Sequence, residues 1–441
     1  MSGLFQIKDS LANKISHYHL MLLMASLPFD RFYSHLILIS YGIHTLIHLK
    51  RGAVKPLFKW RTVVLQSVFF ITVLSTFYSS NRNEGFDDWG KQITIFLFPI
   101  FFCLNPLDIK KYRPQLLLSF ALICTVTVIY LYTDALVTIR HYQLPLSAIL
   151  SGAFINHNFA EPIDMHATFF SMQLVISLVY LFSVLIKEKN QYTRLLHLFC
   201  IIILTAGLIQ LSSKSVLIVL FIVINIAVPY FIFQGAKQWK YILLSASLSI
   251  VLISGILYSG TFRERFLNEF KIDLSKAKTN ETTDGRLIRW QVVTGLISKK
   301  PVIGYGSGSE MGLLQDAFFT HKLYNSYLSK LNAHNEYLSL WLKSGVIGLL
   351  IYSATLAWGF SMAFKRKDLL FFTFILLIAI VSLSENLLDV DKGIFFYSFF
   401  FAFFSFSNEL SVNSKTTNAK HNLTTTQHIQ ADFKLVPAGL K

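Results

Sequence analysis

The sequence predicts an all-α polytopic membrane protein of about twelve transmembrane helices, with a long helical outer loop between the ninth and the tenth. Three observations predict it. Hydrophobic residues make up 53% of the 441, with 41 Phe among them, far more apolar matter than one soluble core would use. These residues gather in runs suited to crossing a bilayer, separated by polar breaks. The Lys and Arg behind the formal charge of +16 cluster between alternate runs rather than along one soluble face. That placement assigns the charge to membrane orientation and excludes nucleic acid as a partner.

In chain order the apolar runs lie near 16–30, 33–48, 61–79, 92–106, 114–135, 166–186, 195–212, 215–234, 239–258, 337–359, 368–388 and 392–408. They divide the chain into a membrane bundle over 1–258, an outer loop over 259–336, three further membrane helices over 337–408 and a tail over 409–441. The tail is rich in Ser, Thr, Asn, Lys and His, and reads as disordered. Residues 1–14 are amphipathic, without the apolar core and small-residue site of a removed signal peptide. Cys103, Cys124 and Cys200 all fall inside apolar runs and read as small buried hydrophobes.

Basic loops stay on the cytoplasmic side. One alternating set holds Lys50, Arg51, Lys55, Lys59 and Arg61, then Lys110, Lys111 and Arg113, then Lys187, Lys189 and Arg194, then Lys237 and Lys240, then Lys365, Arg366 and Lys367. That set is read as cytoplasmic, with both termini. Two long connections, 136–165 and 259–336, then fall on the outer face. Loops beyond roughly 12–15 residues are usually functional or disordered. The second connection passes through the polar Lys276-Ala277-Lys278-Thr279-Asn280-Glu281-Thr282-Thr283-Asp284-Gly285. In 286–300, Leu287, Trp290 and Ile297 recur at helical spacing before Pro301, which predicts an amphipathic helix lying on the outer leaflet.

At the end of this loop, Leu331-Asn332-Ala333-His334-Asn335-Glu336-Tyr337 gives way to an apolar run carrying Gly345 and Gly348. A side chain that titrates near neutral pH thus stands at a polar–apolar boundary. His334-Asn335, nine residues and Gly345-x-x-Gly348 resemble the signature of the O-antigen ligase and O-antigen polymerase superfamily. Arg286-x-x-x-Trp290 and Pro301-x-x-Gly304-x-Gly306 stand in the family's order. Ser212-Ser213-Lys214 resembles its Ser-Arg element, and Ser384-Glu385-Asn386-Leu387-Leu388 with Lys392-Gly393 resembles its last outer segment.

The resemblance implies a glycosyltransferase of the bacterial inner membrane, with a periplasmic active site and an undecaprenyl-diphosphate-linked glycan as donor. Such a transfer needs a base for the attacking hydroxyl and cations for the departing diphosphate. His334 is the expected base, with Arg286 and Lys214 the diphosphate cations and Arg289, one turn on, a third. Lys214 stands where the family has Arg, so it supplies a point charge without the guanidinium fork. Asn335, Trp290, Gly345, Gly348 and Glu385 are expected to support the site. No metal and no cofactor is expected, the cations standing in for a divalent ion.

Each residue has a plainer reading. His334 alone is a loop histidine bonded to backbone, Arg286 an anchor of an interfacial helix, and Lys214 a snorkelling interfacial lysine. Glu385 and Asp389 read as sugar contacts or as solvating charges of the loop. Trp290 and Tyr337 read as interfacial aromatics. Residues 304–309 read as a flexible turn beneath the site, because no strand precedes them as a nucleotide loop requires. His157, Glu161, Asp164 and His166 form a second outer cluster whose spacing fits no metal site, and a mobile gate or glycan-contacting loop is expected there.

The reading that results is a ligase, with a lipid A–core hydroxyl as acceptor. A polymerase of O-antigen or exopolysaccharide, or a protein O-oligosaccharyltransferase, is the alternative within the superfamily. A transporter is the rival from another class.

Overall fold

Short polar residues stop and restart the helices. Ser10, Asp30, Asn81, Asp108, Asn190, Asn335 and Asp368 each accept a backbone N–H from the helix they precede. Caps of this kind satisfy donors that lipid cannot. The computed structural model describes residues 6–49, 55–269, 271 and 285–407, and every regular element among them is a helix. Lys50 and Arg51 of the first basic loop, residues 276–284 of the polar stretch and the tail over 409–441 lie outside the described residues.

The main helices are α1 (Leu11–Ser26), α2 (Arg31–Ile47), α3 (Trp60–Thr76), α4 (Arg82–Leu104), α5 (Ile109–His141), α6 (Ala167–Leu185), α7 (Gln191–Leu211), α8 (Lys214–Ile232) and α9 (Ala236–Tyr258). They continue with α10 (Arg286–Ile297), α11 (Glu310–Thr320), α12 (Glu336–Arg366), α13 (Leu369–Val381) and α14 (Asp391–Phe406). Each apolar run of the sequence is therefore a helix. The fourth starts well before its run because Asn81 caps a polar first turn that carries Glu84.

Five helices, α5, α6, α7, α8 and α12, are long and apolar enough to cross a bilayer. Residues of α9 and the helical turn after it, bent by 105°, bring the number to six. Five of the other six fall short in length, α1, α2, α3, α13 and α14 having 16, 17, 17, 13 and 16 residues, while α4 has 23 but opens with the charged Arg82, Glu84, Asp87, Asp88 and Lys91. A perpendicular span takes about 20.

Two helices are buried all round and form the centre: α6 from Ala167 to Leu181 and α14 from Gly393 to Ser405. Phe395 and Phe399 of α14 meet Phe98 of α4 edge-on at 5.1 and 5.4 Å, and Phe400 meets Phe120 of α5 at 5.2 Å. Lipid tails are as apolar as these rings, so it is close packing that holds the centre together.

The loop between α9 and α12 builds a small core of its own. Ile288, Val292, Val293 and Ile297 of α10 pack with Leu314 and Phe318 of α11 and with Leu342 of α12. Here the expected face of α10 is corrected. Of Leu287, Trp290 and Ile297 only Ile297 is buried, and the helix seats its β-branched stripe on protein. The connection after α5 differs from the expected mobile gate as well. Gln210 Nε2 donates to the Ile149 and Phe154 carbonyls at 2.7 and 2.5 Å, and Asn156 N donates to the Gln210 carbonyl at 3.0 Å. The segment is tied to the end of α7.

Candidate active site

The site rests on a break in α12. Gly345 has φ +66° and ψ −170°, and the carbonyls of Leu342 and Lys343 leave the helical ladder there. Tyr305 N and Gly306 N donate to them at 2.9 and 2.7 Å, while Val346 N donates to the Pro301 carbonyl at 2.9 Å. Residues 301–306 thus complete the broken helix. A Cβ on Gly345 would stand 1.9 Å from the Val302 oxygen, and one on Gly304 would stand 2.6 Å from the Leu342 oxygen. Close backbone approach explains both glycines and the Pro-x-x-Gly-x-Gly spacing. The turn expected to be flexible is pinned instead. Gly348 lies on the same helix, where an added Cβ would meet the Ser344 side chain at 2.5 Å.

Under the break lies a buried polar network. Asn386 Oδ1 accepts from Asn335 N at 2.8 Å, and its Nδ2 donates to Glu310 Oε1 and Asp389 Oδ2, both at 2.9 Å. Lys343 Nζ lies 2.6 Å from Asp389 Oδ1 and 3.6 Å from Glu310 Oε2. Asn335 Oδ1 caps α12 by accepting from Leu338 N at 3.2 Å. Glu310 Oε1 also accepts from Ala333 N at 3.2 Å, so the residue before His334 is fixed from below.

His334 sits on this platform with φ +45°, a left-handed backbone that is uncommon outside glycine. Strain of this sort persists only where the surroundings enforce it. Here they do: Asn332 Oδ1 accepts His334 N at 3.0 Å, and Trp290 Nε1 donates to the Ala333 carbonyl at 2.9 Å. The ring meets a carboxylate, with Nδ1 3.4 Å from Glu385 Oε2. Burial works to raise the Glu385 carboxyl. The hydrogen bond from His334 and the charges of His166, His334 and Arg286 outweigh it and hold the acid below its ordinary range. Arg286 is the first residue of α10 and its Nη1 donates to the Ser384 carbonyl at 2.8 Å, next to Glu385. Arg289 turns inward: it is 5% exposed and approaches the Asn332 carbonyl at 3.5 Å.

The second outer cluster divides. His157 and His166 come together with ring centroids 4.3 Å apart, and the fields of Glu385, His334 and Arg286 all act on His166. Burial pushes His166 down to about 4. His157 is lowered too, by burial first, with Glu385 acting to raise it and Arg265 to lower it. Asp164 instead lies 3.7 Å from Lys392, and Glu161 is exposed.

Lys214 opens α8, just after Ser212 turns the chain with φ +54°. Ser213 Oγ donates to Thr168 Oγ1 of α6 at 3.4 Å, which places this junction beside the start of α6. Lys214 Nζ lies 3.3 Å from Glu269 Oε2, and Arg265 Nη1 reaches the same oxygen at 3.3 Å. A cation at a helix N-terminus opposes the macrodipole, so the position favours an anion strongly. His166, Lys214, Arg286 and Asn335 all stand at helix N-termini, those of α6, α8, α10 and α12. A strained histidine on a carboxylate, among cations and helix N-termini, can accept a proton and hold an anion.

Residues 198–353 match the family model described as O-Antigen ligase. That match covers about a third of the chain and supports the O-antigen ligase and polymerase superfamily. No curated protein matches it. Lys214, Arg286, Trp290, His334, Asn335, Gly345 and Gly348 fall inside the O-antigen ligase segment, while Glu385, Asn386 and Asp389 lie beyond it and are brought back by the turn after α13. Sequence reasoning missed Glu310 and Lys343. A lysine inside an apolar run was the available signal for the second, since such residues are rarely placed there without a partner.

Proposed function

We propose that this O-antigen ligase-like chain is an inverting glycosyltransferase. It moves a glycan from undecaprenyl diphosphate to a lipid A–core hydroxyl on the periplasmic face of the bacterial inner membrane. On this reading the twelve apolar helices cross the membrane, both termini are cytoplasmic, and His334 lies outside. The observation that carries it is that His334 and Arg286, both within the family segment, meet the Ser384–Glu385 turn just beyond it at one end of an apolar bundle.

Glu385 accepts the Nδ1 proton of His334 and leaves Nε2 as the base. The acceptor hydroxyl gives its proton to Nε2 as its oxygen forms a bond to the anomeric carbon. The bond from that carbon to the diphosphate oxygen breaks on the opposite face, which inverts the configuration. The electron pair stays on the diphosphate, whose charge Arg286, Lys214 and the helix N-termini offset. The new imidazolium is balanced by the Glu385 carboxylate.

The test is reconstitution with purified lipid-linked glycan and separate acceptors. Glycan on lipid A–core supports the ligase. Growth of the lipid-linked chain alone supports a polymerase, whose acceptor is a second lipid-linked unit, and solute flux with no new linkage defeats both.

A further inference from the structure

The far end of the bundle from His334 carries a charged cavity. α12 runs 31 residues from Glu336, near His334, to Arg366. Beyond the break at Gly345 the helix runs on to Arg366, a stretch of roughly 30 Å at 1.5 Å per residue. Around Arg366 a cleft of about 630 Å³ opens between the start of α5, the ends of α6 and α8, and the turn joining α12 to α13. Its cations are Arg113, Lys187, Arg366 and Lys367, against two acids, Glu188 and Asp368.

Both acids are engaged within the fold. Asp368 takes Arg113 on both oxygens at 2.7 and 2.8 Å and caps α13. Glu188 accepts from Asn190 N at 2.8 Å. Lys187 and Lys367 are exposed, and neither forms an ion pair among the described residues. Lys367 has φ +51° at the end of α12, a left-handed position that glycine ordinarily fills. The fold therefore tolerates backbone strain to set an ammonium at this mouth. Phe231 and Ile232, half-buried, make one wall, and Leu369 and Leu370 make another.

We propose that this cleft binds the head group of an anionic phospholipid, with Lys187 and Lys367 on its phosphate and the Phe231–Ile232 wall along an acyl chain. Two ammonium groups with no ion pair among the described residues select the anion, and the apolar wall favours a lipid over a soluble phosphate. The site is independent of the transfer reaction.

The experiment uses the full chain in phosphatidylcholine micelles, with phosphatidylglycerol added as the probe and retained lipid read by native mass spectrometry. Phosphatidylglycerol should be retained roughly tenfold or more over phosphatidylcholine, the order expected for two cations at an anionic lipid. In K187Q/K367Q that preference should vanish while thermal stability in phosphatidylcholine is kept, which separates lost binding from lost folding. Equal retention of the two lipids by wild type, or an unchanged preference in the double variant, overturns the proposal. So does displacement of phosphatidylglycerol by equimolar inorganic phosphate, which would make the site one for a soluble anion.

Discussion

Glu385 Oε2 lies 3.4 Å from His334 Nδ1, across 51 residues of chain and two helices, and both side chains are largely buried. The contact is long for a hydrogen bond, as catalytic contacts often are before substrate arrives. If Glu385 sets the tautomer of the base, His334→Ala should reduce glycan transfer by about 10²–10⁴-fold, the range of general-base catalysis. Glu385→Gln should cost less, lowering kcat with KM little changed. Its pH profile should also shift, because the amide no longer balances the imidazolium. Single-turnover transfer measured against pH checks this. Wild-type rates in His334→Ala would remove the base assignment.

Arg286 and Lys214 are set at helix N-termini and face different partners, the Ser384 carbonyl and Glu269. If both hold diphosphate, Arg286→Ala and Lys214→Ala should each lower kcat/KM by about 10-fold or more, since a charged hydrogen bond contributes about 1.5–3 kcal/mol. Lys214→Arg should keep most activity, because the charge remains and the fork of the family pattern is restored. Normal turnover in both alanine variants would end the idea of a diphosphate clamp.

Much of this was legible in the sequence, and for physical reasons. Apolar runs gave the helices because backbone in lipid must bond to itself, and the motif residues His334, Arg286 and Trp290 do meet where the Ala333–His334 and Ser384–Glu385 loops come together. The buried face of α10 was misread because Trp290 uses its Nε1 on the Ala333 carbonyl rather than acting as an apolar anchor. The sequence grouped His157, Glu161, Asp164 and His166, but that only the two histidines pair was not legible, since spacing along the chain says nothing of how a run of short turns folds back onto Gln210. Arg289, expected beside Arg286, turned inward because one helical turn places it near the buried stripe.

Gly345 is the position where the backbone tolerates least. At φ +66°, with a Cβ 1.9 Å from the Val302 oxygen, Gly345→Ala combines left-handed strain with a backbone clash. A destabilisation of about 3 kcal/mol or more is expected. Gly348→Ala should be milder, because the crowding atom there is the Ser344 side chain. Thermal unfolding in detergent ranks the two, and an unperturbed Gly345→Ala would refute the kink geometry.

Acid should loosen the site. His166 is held at about 4 against an ordinary 6.5, so an opened segment takes up a proton before the closed one does. Its contribution is intact above about pH 6.5 and is lost as the pH falls towards 4. Glu385, held below 4.5, adds to the loss only at lower pH still, as the carboxylate protonates. Hydrogen exchange of residues 156–168 should show local opening rise roughly tenfold from pH 7 to pH 5 beyond the intrinsic rate change. His166→Gln should flatten that rise, and an identical rise in the variant would show that another group controls it.

Lys343 joins two acids that their surroundings treat oppositely. Burial pushes Glu310 up, whereas at Asp389 the burial effect is outweighed by the Lys343 charge and hydrogen bond, which hold that acid down. Lys343→Met leaves the Asp389 carboxylate buried beside Glu310 with no cation, a loss of about 3–5 kcal/mol when one partner of a buried pair is removed. Adding Asp389→Asn should recover part of it, since the orphaned charge goes with the residue and the amide still meets Asn386 and Ser339. The order single variant, double variant, wild type in thermal stability is the measurement. A single variant as stable as wild type would mean that the network is solvated, and that the platform under His334 is held by the Gly345 break and the α10 contacts alone.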